Sequence, residues 1–320
     1  MNDVAVIGAG AWGTALAIQA ARAGRDVTLW ARDAANAMAI EQTRLNPRLP
    51  GLRLPGTIRV TAQLPARSEV VLLAVPMQHM RAVAERLPPS DALVAVCAKG
   101  VEAGTLRFPL EVLRELRPGR SGAVLTGPNF AHEVAQGMPA AAVIASTDQA
   151  CRDRIAALLA TASFRLYGND DPVGAQIGGA AKNVIAIAAG AVIGAGLGEN
   201  ARAALITRSL AELGRLTVAL GGRPETVMGL SGLGDLLLTC TGAASRNFTL
   251  GLALGRGERL ADILARRSVV TEGVTTAPAL VARAAGVDMP ICAAVAAMLA
   301  ERTTLAQAIA DLLARPRRDE

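Results

Sequence analysis

A glycine-rich string near the N-terminus constrains the fold of this chain more than any other feature. Gly8-Ala9-Gly10-Ala11-Trp12-Gly13 follows an apolar run of strand length and opens a helical segment. A GxGxxG spacing between a strand and a helix is typical of dinucleotide-binding βαβ units. The first glycine permits a tight turn, the second lets the backbone approach a diphosphate, and the third lets the helix pack on the strand. We therefore predict that residues 8–13 bind a dinucleotide at the N-terminus of the first helix.

Short apolar runs alternate with helical segments through the first half of the chain. The runs that predict buried strands cover residues 4–8, 26–30, 70–75, 93–98, 123–126, 141–145 and 164–167, and the helical segments cover residues 12–23, 78–87, 106–116 and 149–160. Continuous apolar runs are typical of parallel strands that are covered on both faces. Residues 1–175 are therefore predicted to form a Rossmann-like, doubly wound α/β domain with a parallel sheet.

The pattern changes near Asp171-Pro172, after which no run is strand-like. Apolar residues with helical spacing cover residues 175–195, 201–220, 250–254, 277–285, 292–301 and 305–313. A chain with 32 glycines and only 2% aromatic residues favours closely packed helices over a β-sandwich. Residues 176–320 are therefore predicted to form an all-α domain.

The distribution of charge and the number and spacing of cysteines and histidines disfavour several functional classes. The net charge of +6 is dispersed, and the densest basic patch, residues 315–318, is interpreted as a solvated tail, so we expect no nucleic-acid partner. Charged residues interrupt the first 30 positions, and the apolar run 183–198 is too short and glycine-rich to span a bilayer. Four scattered cysteines and two distant histidines predict a cytoplasmic protein without a metal site.

The chain has 31 arginines but only two lysines, Lys99 and Lys182. Arginine cannot replace lysine where a proton must leave the nitrogen. Lys99 follows a predicted strand, at the edge of a parallel sheet where ligands bind. Lys182 is the only charged residue between Gly174 and Gly198. A lysine whose head group reaches solvent from a helix flank is the simpler alternative, but the combined signals predict that Lys182 is catalytic.

The residues after the second predicted strand bear on the choice of cofactor. The chain reads Trp30-Ala31-Arg32-Asp33 at this point. An acidic residue here binds the ribose hydroxyls of NAD, whereas an arginine accommodates the 2′-phosphate of NADP. Arg32 favours NADP(H) as the preferred cofactor, and Asp33 leaves NAD(H) possible.

Motifs along most of the chain carry a resemblance to one family. They are GAGAWGTALA (8–17), LWARD (29–33), NPRLPGLRLP (46–55), AVP (74–76), AKGVE (98–102), TGPNFAHEVA (126–135), GGAAKNVIAIAAG (178–190), GLSGLGDLLLTC (229–240), SRNFTLG (245–251) and VTEGVTTA (270–277). In these motifs and their order, the chain resembles the bacterial NAD(P)-dependent glycerol-3-phosphate dehydrogenases. The resemblance implies interconversion of glycerol 3-phosphate and dihydroxyacetone phosphate, in support of phospholipid synthesis.

The resemblance also implies a set of site residues. Lys182 matches the general base that takes the hydroxyl proton, and Asp235 matches a substrate contact that orients it. Further substrate-contacting positions are matched by Lys99, Gly127, Asn129, Ser245, Arg246 and Asn247. Cofactor-contacting positions are matched by Gly8, Gly10, Ala11, Trp12, Gly13, Arg32, Lys99, Ala131, Arg246, Val270 and Glu272. Two positions depart from the pattern of the family: Ala11 stands where Ser or Thr is common, and Asn129 stands where Ser is common.

Other interpretations of these residues remain open from the sequence. Asp235 could cap the following helix, Arg246 could be a surface cation, and Glu272 could start a capping arrangement. The chain could also be a related dehydrogenase of a hydroxy acid or sugar acid. A nucleotide-sugar oxidising relative would need a catalytic cysteine, for which Cys240 and Cys292 are the candidates. A dinucleotide-sensing regulator would not need Lys182. We expect a small-molecule substrate, and homodimerisation is possible.

Overall fold

A computed structural model describes residues 2–267 and 270–316, so Arg317 and Arg318 of the basic tail lie outside the described residues. The chain divides into two compact units. The first contains the chain up to Lys99 together with Phe108–Gln176, and the second contains Gly100–Arg107 and the chain from Ile177 on. The second unit therefore includes a short segment, residues 100–107, that the sequence placed in the first domain.

The first unit is built on a single sheet of eight strands. They are β1 (Asn2–Ile7), β2 (Val27–Trp30), β3 (Ile58–Thr61), β4 (Ser68–Leu73), β5 (Leu93–Val96), β6 (Gly122–Thr126), β7 (Ala140–Ala145) and β8 (Phe164–Asn169). Their order is β3-β2-β1-β4-β5-β6-β7-β8. All neighbouring pairs are parallel except β6 and β7. The predicted Rossmann-like fold is therefore confirmed, with one antiparallel pair in an otherwise parallel sheet.

Six helices accompany the sheet. They are α1 (Ala11–Arg22), α2 (Ala34–Thr43), α3 (Met77–Glu85), α4 (Pro109–Leu116), α5 (Ala131–Gln136) and α6 (Gln149–Leu159). The prediction that a helix begins at residue 106 is wrong, because Leu106 has a left-handed φ of 58° and α4 begins three residues later at a proline. Proline is favoured in the first turn of a helix, where its missing N–H is not needed.

The second unit contains no strand among its described residues, as predicted. Its helices are α7 (Pro172–Gly194, which begins in the first unit), α8 (Gly198–Ala219), α9 (Pro224–Val227), α10 (Asp235–Cys240), α11 (Arg246–Gly255), α12 (Leu260–Ala265), α13 (Glu272–Arg283), α14 (Pro290–Leu299) and α15 (Leu305–Leu313). A π-helical turn, Leu230–Gly234, leads directly into α10. Helix α7 is long and apolar enough to cross a bilayer, but 83% of its most apolar window is buried inside the protein, as in a core helix.

Glycines allow α7 and α11 to pack with their backbones in contact. Gly190 and Gly194 of α7 face Gly251 and Gly255 of α11, each pair one helical turn apart. A Cβ on any of the four would overlap backbone atoms of the opposite helix. Real side chains cannot be accommodated at such separations without moving the helices apart. This close packing fixes the position of α11, and therefore of residues 245–247 at its start, relative to Lys182 on α7.

A buried carboxylate holds the start of α14. Glu212 of α8 is 1% exposed, and its carboxylate accepts hydrogen bonds from the backbone N–H groups of Ile291 (2.6 Å) and Cys292 (3.2 Å). These donors belong to the first turn of a helix and have no partner within it. Burial raises the pKa of Glu212, and the two backbone donors oppose that rise.

We expect Glu212→Ala to lower the free energy of unfolding by about 2–3 kcal/mol, since it leaves two buried N–H groups without an acceptor. Glu212→Gln keeps one acceptor oxygen and should cost less. Urea denaturation of the two variants measures the difference. Glu225→Ala, at an exposed position on α9, is the control and should change stability by less than about 0.5 kcal/mol. Equal stability of Glu212→Ala and the wild type would contradict the capping role.

Candidate active site

The glycine string forms the turn between β1 and α1. Gly8 has a φ of 119°, and a Cβ there would lie 2.6 Å from the carbonyl oxygen of Ala74 on the neighbouring strand connection. A Cβ on Gly13 would overlap the carbonyl oxygen of Gly8. Gly10 is exposed, and no atom lies within 4 Å of the place a Cβ would occupy. The turn therefore needs Gly8 and Gly13 for its own packing, whereas the space beside Gly10 is open to a ligand.

The first turn of α1 has the properties that a dinucleotide requires. Gly10 is the N-cap and makes no side-chain capping bond, so the backbone N–H groups of the first turn remain available to a phosphate. Ala11 contributes only its backbone N–H there. The indole Nε1 of Trp12 is buried and has no hydrogen-bond partner. A buried N–H without an acceptor is costly, and a bound cofactor could supply that acceptor. These residues fit a dinucleotide diphosphate.

A loop that follows α2 supports the glycine string. The buried side chain of Asn46 donates from Nδ2 to the carbonyl oxygen of Ala9 (3.1 Å) and to Oγ1 of Thr14 (2.7 Å). Asn46 therefore holds the turn on both sides of Gly10. Asn46 could not be singled out from the sequence beyond its place in the NPRLPGLRLP motif, because these contacts join residues more than 30 positions apart.

Arg32 and Asp33 occupy different environments after β2. The carboxylate of Asp33 accepts a hydrogen bond from the backbone N–H of Asn36 (2.7 Å) and so caps α2. Arg32 is exposed. Asp33 is thus already engaged in a structural contact, whereas Arg32 is exposed shortly after β2, at the position where a 2′-phosphate would be recognised.

The loops that follow β5 and β6 bring three further predicted residues together. Nζ of Lys99 donates to the carbonyl oxygen of Gly127 (3.3 Å). Asn129 donates from Nδ2 to the carbonyl oxygen of Ala141 (3.0 Å), while its Oδ1 is buried and has no hydrogen-bond partner. Ala131 begins α5 directly after this loop. Lys99, Gly127 and Asn129 therefore lie at the carboxyl end of the sheet, and the Oδ1 atom is available to accept a hydrogen bond from a ligand.

Lys182 and Asp235 form a buried ion pair in the second unit. Nζ of Lys182 donates to Oδ1 of Asp235. The Asp235 side chain is 0% exposed and the Lys182 side chain 11% exposed. The alternative in which Lys182 reaches solvent from a helix flank is therefore wrong. The alternative in which Asp235 is a helix cap is also wrong, since Gly234 is the N-cap of α10 and no side chain caps that helix.

The π-helical turn before Asp235 packs closely on α7. A Cβ on Gly178, one turn before Lys182, would overlap the carbonyl oxygen of Ser231 in this turn. Gly232 in turn packs against the backbone of Val227. These glycines allow backbone-to-backbone contact, so the turn that precedes Asp235 packs directly on the helix that carries Lys182. π-Helical turns are often found at functional sites.

Three consecutive predicted residues open α11. Ser245 is the N-cap, and its Oγ accepts a hydrogen bond from the backbone N–H of Phe248 (3.2 Å). Asn247 is buried and bridges two other elements: its Nδ2 donates to Oδ1 of Asn183 (2.8 Å), and its Oδ1 accepts from the backbone N–H of Gly273 (3.0 Å). Asn247 therefore links α7, α11 and α13, and it keeps one amide hydrogen for a ligand.

Arg246 connects the start of α11 to the segment before α13. Its guanidinium is exposed and donates from Nη1 to the carbonyl oxygen of Val270 (2.9 Å). Glu272 is the first residue of α13, and the preceding Thr271 makes no side-chain capping bond. Thr271 and Val274, three residues later, therefore do not form a reciprocal capping box. Arg246 therefore contacts Val270, and Glu272 follows Val270 by two residues along the chain.

The cysteines are not suited to catalysis. All four are free and buried. Burial raises the pKa of Cys240 to about 12 and that of Cys292 well above its ordinary value. A thiol must ionise to act as a nucleophile. The relative that oxidises nucleotide sugars through a cysteine is thereby disfavoured.

Comparisons with known proteins agree over the whole chain. Family models match residues 3–152, as the N-terminus of NAD-dependent glycerol-3-phosphate dehydrogenase, and residues 171–310, as its C-terminus. The chain is similar to glycerol-3-phosphate dehydrogenase [NAD(P)+] of Acidiphilium cryptum, with 58% identity over 99% of this chain and 98% of the relative. The Gluconobacter oxydans protein of the same name is 54% identical, over 98% and 97% of the two chains. A crystal structure of glycerol-3-phosphate dehydrogenase from Coxiella burnetii superposes with a TM-score of 0.93 at 37% identity and covers 98% of this chain and 99% of that one.

Proposed function

This chain belongs to the NAD-dependent glycerol-3-phosphate dehydrogenase family, and from that premise we propose that Lys182 and Asp235 carry its proton transfer. The enzyme is an oxidoreductase that interconverts sn-glycerol 3-phosphate and dihydroxyacetone phosphate with NAD(P)(H). The observation that carries the assignment is the buried contact between Lys182 and Asp235. Supply of glycerol 3-phosphate for phospholipid synthesis is the metabolic role that fits this activity.

The reaction requires one hydride and one proton to leave carbon 2 and its hydroxyl group. A dinucleotide held by residues 8–13 would supply the nicotinamide that accepts the hydride in the oxidation and donates it in the reduction. In the oxidation, Nζ of neutral Lys182 accepts the hydroxyl proton as the carbonyl forms; in the reduction, the ammonium returns a proton to the carbonyl oxygen. Asp235 accepts a hydrogen bond from Nζ and thereby fixes the direction in which the remaining nitrogen positions point. Arginine could not perform this step, since it does not release its proton.

Recognition of the substrate phosphate falls to the residues at the start of α11. The Arg246 guanidinium offers a fork of donors that matches a phosphate. The Ser245 hydroxyl, whose oxygen already accepts from Phe248, can donate its hydrogen, and Asn247 retains one amide hydrogen. We propose that Lys99, Gly127 and Asn129 also contact the substrate, with Lys99 contacting the cofactor as well.

The proposed cofactor site combines backbone groups of the glycine string with side chains from other segments. Backbone groups of Gly8, Gly10, Ala11 and Gly13 and the indole N–H of Trp12 would bind the diphosphate region, and Arg32 would contact the 2′-phosphate at the adenosine end. Ala131, Arg246, Val270 and Glu272 complete the proposed set of cofactor contacts. The substrate is a small molecule, and we propose a cytoplasmic homodimer as the working form.

Replacing Arg32 by alanine tests this site together with the choice of cofactor. Oxidation of NADPH and NADH at 340 nm, with dihydroxyacetone phosphate as acceptor, gives kcat/KM for each. We expect the wild type to prefer NADPH, and Arg32→Ala to raise the KM for NADPH by about tenfold while changing the KM for NADH less than twofold. Arg53→Ala, another exposed arginine of the first unit, is the control. An equal loss with both cofactors would remove Arg32 as the discriminating residue.

A further inference from the structure

A second arginine lies beside the first turn of α11. Arg267 follows α12 and reaches across to donate from Nη1 to the carbonyl oxygen of Arg246 (2.8 Å) and from Nη2 to Oγ1 of Thr249 (3.1 Å). The Thr249 hydroxyl itself donates to the same carbonyl oxygen of Arg246 (3.1 Å). Arg267 is therefore fixed against the residue that we propose binds the substrate phosphate, and its side chain is half-buried.

Positive charge is concentrated around Arg267. Burial and the neighbouring guanidiniums of Arg246 and Arg266 lower the pKa of Arg267. The charge of Arg266 is balanced by an ion pair with Glu258. Among the described residues, no carboxylate forms an ion pair with Arg267; its bonds go to a carbonyl and a hydroxyl, which carry no full negative charge.

The positive charges of the Arg246 and Arg267 guanidiniums repel each other, and this repulsion contributes to the lowered pKa of Arg267. The Arg246 guanidinium donates to the carbonyl oxygen of Val270, and the Arg267 guanidinium donates to the carbonyl oxygen of Arg246. Neither can turn away without losing these bonds. A dianionic phosphate placed between them would relieve the repulsion and gain charge-assisted hydrogen bonds.

We infer that Arg267 is a second phosphate-binding guanidinium of this enzyme, acting together with Arg246. The inference rests on the phosphate role proposed for Arg246. The phosphate could come from the substrate or from the cofactor, and both present the same chemistry to the two guanidiniums. A purely structural Arg267 would instead act only by holding the first turn of α11.

Steady-state kinetics of Arg267→Ala separates these possibilities. We expect the KM for dihydroxyacetone phosphate to rise by about tenfold, and the inhibition constant of inorganic phosphate to rise in parallel. The value of kcat/KM for dihydroxyacetone, which lacks the phosphate, should remain within about twofold of the wild type. If the cofactor phosphate is the ligand, the KM for NADPH rises instead, and that of dihydroxyacetone phosphate does not.

Matched variants make the outcome decisive. Arg266→Ala, at the adjacent position, should leave all these constants within about twofold. Arg267→Gln keeps one donor for the Arg246 carbonyl but no charge; it should bind phosphate as weakly as Arg267→Ala while unfolding at the wild-type temperature. The inference would be overturned if Arg267→Ala lowered kcat/KM equally for dihydroxyacetone phosphate and dihydroxyacetone, or if it changed none of the constants. If Arg246→Ala also left the KM for dihydroxyacetone phosphate unchanged, the phosphate role proposed for Arg246 would itself be refuted. If the KM rose in Arg246→Ala but not in Arg267→Ala, only the role of Arg267 would be refuted.

Discussion

Replacing Lys182 by methionine should lower kcat for the reduction of dihydroxyacetone phosphate by about three orders of magnitude or more, because it removes the proton-bearing amine that contacts Asp235. General acid–base catalysis by a positioned side chain contributes about 10²- to 10⁴-fold. The KM for NADPH should stay within about threefold, since the glycine string is formed entirely within the first unit. Absorbance at 340 nm gives the rate, and fluorescence of bound NADPH gives the affinity.

The control for Lys182→Met must take account of Asp235, which loses the ion pair with Lys182. Asp235 is 0% exposed, so removing Lys182 alone leaves a buried carboxylate without its cation, which costs about 3–5 kcal/mol. The double variant Lys182→Met with Asp235→Asn removes both charges together and should restore stability without restoring activity. Lys182→Arg keeps the positive charge and should remain inactive because arginine retains its proton. Wild-type turnover in the folded double variant would refute the proposed mechanism.

Replacing Arg246 by alanine should raise the KM for dihydroxyacetone phosphate by about a hundredfold, the scale expected when a guanidinium that binds a phosphate is lost. The guanidinium is exposed at the start of α11 and donates to the carbonyl oxygen of Val270, which positions it where the phosphate is proposed to bind. The KM for NADPH should rise by a smaller factor. Initial rates over a range of both substrates determine the two constants.

Arg256→Ala provides the matched control, since Arg256 is an exposed arginine at the other end of α11. It should leave both KM values within about twofold, which would exclude a general effect of net charge. An unchanged KM for dihydroxyacetone phosphate in Arg246→Ala would show that Arg246 is a surface cation, as the sequence alone allowed.

The sequence was most informative where an element is buried on both faces or strongly periodic. Strands β1, β2, β4 and β5 and helix α15 were found within a few residues of their bounds. Strand β3 was missed because it is short and its buried residues alternate with the exposed Arg59, so it presents no continuous apolar run. Helices α2, α9 and α12 were missed because each buries only one or two residues and so carries little periodic signal.

Contacts between distant residues account for the parts of the site that the sequence could not predict. Asn46 holds the glycine string, and Asn247 joins Asn183 to Gly273; both are polar side chains that look like ordinary loop or helix-start residues. Arg267 is one arginine among 31 and differs from Arg266 only in its neighbours. Hydrogen-bond partners that are 21 to 64 residues apart leave no local pattern.

The sequence by itself determined the fold class, the cofactor turn and the two lysines, because backbone sterics, hydrophobic periodicity and the acid–base chemistry of side chains act locally. Only the tertiary structure decided that Lys182 is paired with Asp235, that Asp33 caps a helix while Arg32 stays exposed, and that Arg267 contacts the first turn of α11. The physical reason is that burial, charge pairing and backbone contact between α7 and α11 depend on how helices pack, and packing is set by all the residues of the core together.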